Sequence, residues 1–254
     1  RALIRDFGEI EKLQVSIKGP SDFVSNADLK AEKIIIEELK KARPYYSIIS
    51  EEDGSEKNKD KNNTWIIDPI DGTTNFLHGI PHFAISIALK SNDEIVSGLI
   101  YDPIKDEMFY AEKDNGAFFN NQRIRVSKKK EINNCLFATG GHFKNKIDLP
   151  TRRSGSAALD IAYVASGRYD GYFQNDLNLW DIAAGIIILK EAGGMINEID
   201  LSKNNKIKNQ LDLPYRKTGS AALDMAYVAA GRYDGYFQYD LNLWDIAAGI
   251  IIVK

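Results

Sequence analysis

Two aspartates three residues apart, Asp68 and Asp71, bracket a proline turn at the end of an apolar stretch that begins at Trp65. The turn lets both carboxylates and the Ile70 carbonyl converge on one point. Hard oxygen donors of this kind suit Mg2+, which accepts one or two carboxylates and keeps places for water and phosphate. Gly72 then permits close backbone approach, and the N–H groups of Gly72, Thr73 and Thr74 can face an anion. A cation site beside an anion cradle is what phosphate-ester chemistry requires. Asp-Pro and Asp-Gly are also ordinary turn dipeptides, so the loop alone is divided evidence. Two further acidic positions tip the balance. Glu51-Glu52-Asp53 follows the apolar pair Ile48-Ile49, and Asp181 follows Trp180 at the head of the apolar run 182–189. Three acidic element ends fit one shared site better than three unrelated turns.

These motifs, in this order, resemble the inositol monophosphatase family: Glu51-Glu52, then Asp68 to Thr73, then Leu179-Trp180-Asp181 running to Gly185. The likeness extends over about residues 1–200 and includes 83–88, 116–118 and 155–158. It implies an Mg2+-dependent, lithium-sensitive phosphatase acting on a small phosphate monoester through a metal-activated water. By resemblance, Glu51, Asp68, the Ile70 carbonyl, Asp71 and Asp181 ligate two or three Mg2+ ions. Thr73, bonded towards Glu51 or Asp28, orients the attacking water, while Gly72, Thr73 and Lys18 hold the phosphate. Asp71, Ser156, Ala157, Gln174 and Asp181 line the alcohol side. Gln174 stands where many members carry Glu, which exchanges an acceptor oxygen for an NH2 donor and removes a charge. That leaves histidinol phosphate and nucleotide 3′-phosphates beside inositol monophosphate as substrates. The resemblance also implies a homodimer in the cytoplasm.

Rival classes separate on spacing. Haloacid-dehalogenase phosphatases place two Asp as Asp-x-Asp, whereas here the pair is Asp-x-x-Asp with Pro between. A non-catalytic interaction protein, or a non-functional chimera, remains as a different class, which retention of every candidate carboxylate disfavours. A net charge of −3 does not point to nucleic acid. Cys135 is the single cysteine, which excludes an intrachain disulfide and suits a reducing compartment. The apolar runs are too short to span a bilayer. The chain lacks an initiator Met and starts inside a helical pattern, so an upstream segment is expected. His78, His82 and His142 read as packing or surface residues, since an all-oxygen site does not require imidazole.

The elements that must position these groups alternate. Residues 26–43 read as an amphipathic helix with Leu29, Ile35, Ile36, Leu39 and Ala42 inward and Pro44 as its stop. Strands are expected at 46–50, 64–68, 82–90, 95–101, 107–112, 169–174 and 195–199, with helices at 156–166 and 181–192 closed by Gly167 and Gly193. Composition alone gives a mixed α/β (α+β) class. The resemblance implies a layered α-β-α-β-α sandwich with a mostly antiparallel first sheet and a mixed second one. It divides the chain into 1–130, carrying most ligands, and 131–201. Residues 202–254 then form a linker and a near-duplicate: 212–254 repeat 148–190 with 36 of 43 positions identical. A core of this kind has one slot for the strand–turn–helix unit, so Asp181 and Asp245 compete for one position. Copy one is expected to fill it, because Glu191 and the glycines after it continue only that copy.

Overall fold

The computed structural model describes residues 1–9, 15–19, 22–140, 150–174 and 177–196, those of 15–19 and 22–25 by backbone alone. The chain begins with α1 (Ala2–Phe7), and an antiparallel hairpin of β1 (Val15–Gly19) and β2 (Asp22–Ser25) leads into α2 (Asn26–Ala42). The helix ends as expected before Pro44, but its inward stripe differs from the sequence reading. Ala27, Asp28, Ala31 and Glu32 are buried, whereas Leu29 and Ala42 are exposed and Ile35, Ile36 and Leu39 only half-buried. Apolar periodicity misleads here because the helix turns two carboxylates, one turn apart, towards the acidic strand ends.

A large sheet follows: β3 (Ser47–Ser50), β4 (Gly54–Glu56), β5 (Asn63–Asp71), β6 (Ala84–Ser91), β7 (Glu94–Asp102), β8 (Glu107–Glu112), β9 (Gly116–Phe119) and β10 (Gln122–Arg123). Its order is β10-β9-β8-β7-β6-β5-β3-β4, antiparallel except for the β3–β5 pair. That parallel register sets Ser50 beside Ile67, so the chain leaves β3 at Glu51 next to Asp68. The register of β5 on β6 shifts between Asp68 and Asp71, where Pro69 lacks an N–H to donate. The short helix α3 (Thr73–Leu77) starts directly after this irregularity.

A second sheet of β11 (Phe137–Thr139), β12 (Thr151–Arg152) and β13 (Gly171–Phe173) has the order β12-β11-β13. Both described pairs are parallel rather than mixed. Between the sheets lie α4 (Ala157–Ala165) and α5 (Leu179–Glu191). Ala84 and Ala88 of β6 join the core under α5, while Ile85 faces the cluster of Leu3, Ala27, Ala31, Ile70, Phe76 and Phe83. Strand alternation therefore puts α1 and α2 on one face of the large sheet and α5 on the other. Among the described residues the layers run helix, sheet, helix, sheet, in the order expected of the layered sandwich. Gly98 lets α5 sit directly on β7: a Cβ there would lie 2.6 Å from Ile187 Cγ2 and 2.7 Å from the Ala184 carbonyl oxygen. The elements occupying the inter-sheet slot belong to copy one of the repeat. Residues 212–254, with Asp245, lie outside the described residues, as do 197–199 of the last expected strand.

Candidate active site

Four carboxylates from two elements and one turn come together at this junction. Asp68 and Asp71 end β5, Glu51 follows β3, and Asp181 sits in the first turn of α5. Asp68 is 2 % exposed, and its carboxyl is pushed well up by burial first, then by the negative charges of Glu51, Asp71 and Asp181. Burial also raises Asp71 to about 6, against hydrogen bonds from Ser156, Ala158 and Ala157 that pull it down. Asp181 rises to about 7 through burial and the charge of Asp71, opposed by the Asn178 N–H. The influences on Asp68 are thus burial and acidic neighbours, the arrangement a divalent cation would relieve.

Protein donors hold these oxygens in place. Asp68 Oδ1 accepts the Ile70 N–H at 3.0 Å. Asp71 accepts the Ser156 hydroxyl, the Ala158 N–H at 2.8 Å and the Ala157 N–H at 3.3 Å, all from the first turn of α4. Asp181 Oδ2 accepts the Asn178 N–H at 2.7 Å in a capping box. Among the described residues no three or more His, Cys, Asp or Glu side chains are gathered ready to hold an ion. The donor set nonetheless fits a hard cation: it is all carboxylate oxygen, with Asp68 and Asp71 buried and Glu51 and Asp181 partly so, and re-aiming carboxylates that keep spare lone pairs would complete it.

Beside the acids, Thr73 Oγ1 lies 2.9 Å from the Ile70 carbonyl oxygen and 3.3 Å from Asp28 Oδ1. Of the two partners expected for Thr73, Asp28 is the one it reaches. Gly72, at φ +99°, begins α3 in the left-handed region. A Cβ there would stand 3.2 Å from both the Gly155 and the His82 carbonyl oxygens, so conformation and space both require glycine. The first turn of α3 presents N–H groups that lack acceptors within the helix. Asn75 ties this loop to the other side of the site, its amide donating to His82 O at 2.7 Å and Ser154 O at 2.9 Å.

Two of the residues expected on the alcohol side make contacts of their own. Ser156 is 1 % exposed, caps α4 by accepting the Leu159 N–H, and spends its proton on Asp71. It thereby positions the Asp71 carboxylate. Gln174 follows β13, where its Oε1 accepts the Tyr172 hydroxyl at 2.6 Å and its amide covers Gly140 too closely for a Cβ there. These partners come from outside the carboxylate cluster. The Lys18 side chain and His142 lie outside what is described. Sequence reasoning missed Glu32, Asn75 and Asp160. The i, i+4 spacing of Asp28 and Glu32 was the available signal for the first. Asp160, 1 % exposed on α4, has an Oδ1 without a hydrogen-bond partner, and burial raises its carboxyl to about 7.

The model of the inositol monophosphatase family matches residues 2–212 and matches again at 197–254. The chain belongs to the inositol monophosphatase family. An inositol-1-monophosphatase of Rhizobium meliloti is 50% identical over 209 residues, 76% of this chain and 79% of that protein. The Nus factor SuhB of Pasteurella multocida is 42% identical over 201 residues, covering 73% and 75%. The crystal structure of the extragenic suppressor protein suhB from Bartonella henselae superposes with a TM-score of 0.74 at 48% identity, over 79% of this chain and 83% of that one. Membership brings a divalent-metal cofactor and the layered fold with it, and the two family matches overlap the two copies seen in the sequence. No described helix is long and apolar enough to cross a membrane.

Proposed function

We propose that the chain hydrolyses small phosphate monoesters of the inositol monophosphate type at the junction of β3, β5, α3 and α5, using two or three Mg2+ ions. The observation that carries this reading is the cluster of Glu51, Asp68, Asp71 and Asp181, its two central aspartates buried, beside the Gly72 turn, in a chain half identical to an inositol-1-monophosphatase. Glu51, Asp68, the Ile70 carbonyl, Asp71 and Asp181 would hold the ions. When bound, they supply Lewis acidity toward water and a counter-charge for the leaving oxygen. The chain's own contribution is placement and proton handling. Thr73 Oγ1 can accept a proton from an incoming water while its own moves to Asp28 Oδ1, 3.3 Å away. The N–H groups of Gly72 and Thr73, with the Lys18 ammonium, complement phosphate oxygens. Gln174 and Ala157 belong to the alcohol side of the pocket in this reading.

A homodimer in the cytoplasm completes the proposal, supported by the family and by the single cysteine. The experiment is phosphate release from a panel of inositol monophosphates, histidinol phosphate and nucleotide 3′-phosphates, with and without Mg2+ and with added Li+. Inositol monophosphate turnover that requires Mg2+ and falls with Li+ supports the reading. A haloacid-dehalogenase type of reaction would instead leave a trappable aspartyl phosphate.

A further inference from the structure

One turn beyond Asp28 on α2, Glu32 is buried at 1 % exposure. Its two oxygens serve two backbone donors: Oε2 accepts the Glu52 N–H at 3.1 Å and Oε1 the Asp53 N–H at 2.8 Å. The Ser50 hydroxyl nearby also favours the carboxylate form. Burial raises this carboxyl above its ordinary value while those bonds draw it back, so the turn compensates a group that is costly to bury. On the other side, the Glu51 N–H donates to the Ile67 carbonyl at 3.2 Å, immediately before Asp68. Glu51 is therefore clasped between β5, through its own N–H, and Glu32, through the next two.

We propose that Glu32 is a positioning residue for the candidate metal centre, its carboxylate fixing the turn that presents Glu51 to Asp68. The inference rests on reading the carboxylate cluster as a divalent-metal site. Helix α2 then serves both halves of the site from one buried stripe, Asp28 towards Thr73 and Glu32 towards the turn carrying Glu51. Two oxygens on one side chain are needed, because the two N–H groups belong to consecutive residues. Glutamine offers one acceptor oxygen and turns an NH2 donor onto the other N–H. Aspartate keeps both oxygens on a stem one methylene shorter.

The test compares the purified full chain with Glu32→Gln and Glu32→Asp. Mn2+ binding is measured by calorimetry without substrate, and phosphate release is titrated with Mg2+. Groups that orient metal ligands carry about 10- to 100-fold in affinity, so Glu32→Gln should bind Mn2+ about 10-fold more weakly. The Mg2+ needed for half-maximal rate should rise by a similar factor of about 10, with kcat at saturating Mg2+ held within about 2-fold. Glu32→Asp should fall between Glu32→Gln and wild type, and it carries the comparison if the glutamine variant does not fold. A role in folding alone would lower Tm and leave cation affinity unmoved. Equal Mn2+ affinity in the folded variants and wild type overturns the inference alone. A wild-type chain that binds no cation contradicts the metal-centre reading and this inference together.

Discussion

Asp71 commits both oxygens to the first turn of α4, so one carboxylate joins the large sheet to the helix layer. Asp71→Asn replaces one of those acceptors with an NH2 group facing N–H and O–H donors, and removes a negative charge from the cluster. Mg2+-dependent phosphate release should fall by at least about 100-fold, measured under saturating substrate with the fold checked by circular dichroism. Asp160 makes a different prediction. Its folded carboxyl titrates at about 7, raised mainly by burial and further by Asp71, against an ordinary 3.8. The folded state therefore holds this proton more tightly than the unfolded chain. The associated stability is complete below about pH 4 and is lost as pH rises through about 7. Asp160→Asn removes that loss, so its Tm relative to wild type should climb between pH 5 and pH 8. A constant difference across that range would show that Asp160 stays ionised.

At the scale of elements, the site depends on how tightly the β5 turn packs against its neighbours. Gly72→Ala combines a left-handed backbone with a Cβ 3.2 Å from two carbonyl oxygens and 3.3 Å from Phe83 Cβ. Such strain costs about 1–3 kcal/mol. Thermal melting should read this as a drop of about 2–12 °C, accompanied by lost activity because Asp71 and Thr73 flank the turn. Strands β5 to β8 of the large sheet were legible in the sequence, as runs or alternations of Ile, Leu, Val and aromatics bounded by Asn-Asp and Asp-Pro turns, whereas the short strands β4, β9 and β10 were not. The ends moved by one to three residues, chiefly where β5 runs on through Pro69 to Asp71. The face of α2 was not legible, because hydrophobic periodicity cannot announce a helix that buries Asp28 and Glu32 for polar partners. Nor could spacing show that Ser156 would cap α4 and donate to Asp71. The acidic residues of the site were found because each stands at the end of an apolar run. Their supporting groups lie inside helices and turns, and only tertiary contact reveals them.

At the scale of the whole molecule, the sequence carries one segment twice, and among the described residues copy one fills the slot between the sheets. Copy one supplies α4 and α5, and its Asp181 feels the charge of Asp71 and contributes to that on Asp68. Asp181→Ala should therefore abolish activity, whereas Asp245→Ala should leave kcat/KM within about 2-fold of wild type, the range of a change remote from the chemistry. The reverse pattern would mean that the second copy supplies the working carboxylate, from the same chain or from a neighbour. The account as a whole stands on the Glu51, Asp68, Asp71 and Asp181 cluster forming a divalent-metal phosphatase centre. Its most direct test is phosphate release from inositol 1-phosphate by the purified full chain, in excess Mg2+ and after EDTA, alongside Asp68→Asn. The account predicts turnover in Mg2+ that disappears with EDTA, returns on adding Mg2+ back, and is absent in Asp68→Asn at every Mg2+ concentration. Turnover that persists in EDTA, or in Asp68→Asn, would contradict it.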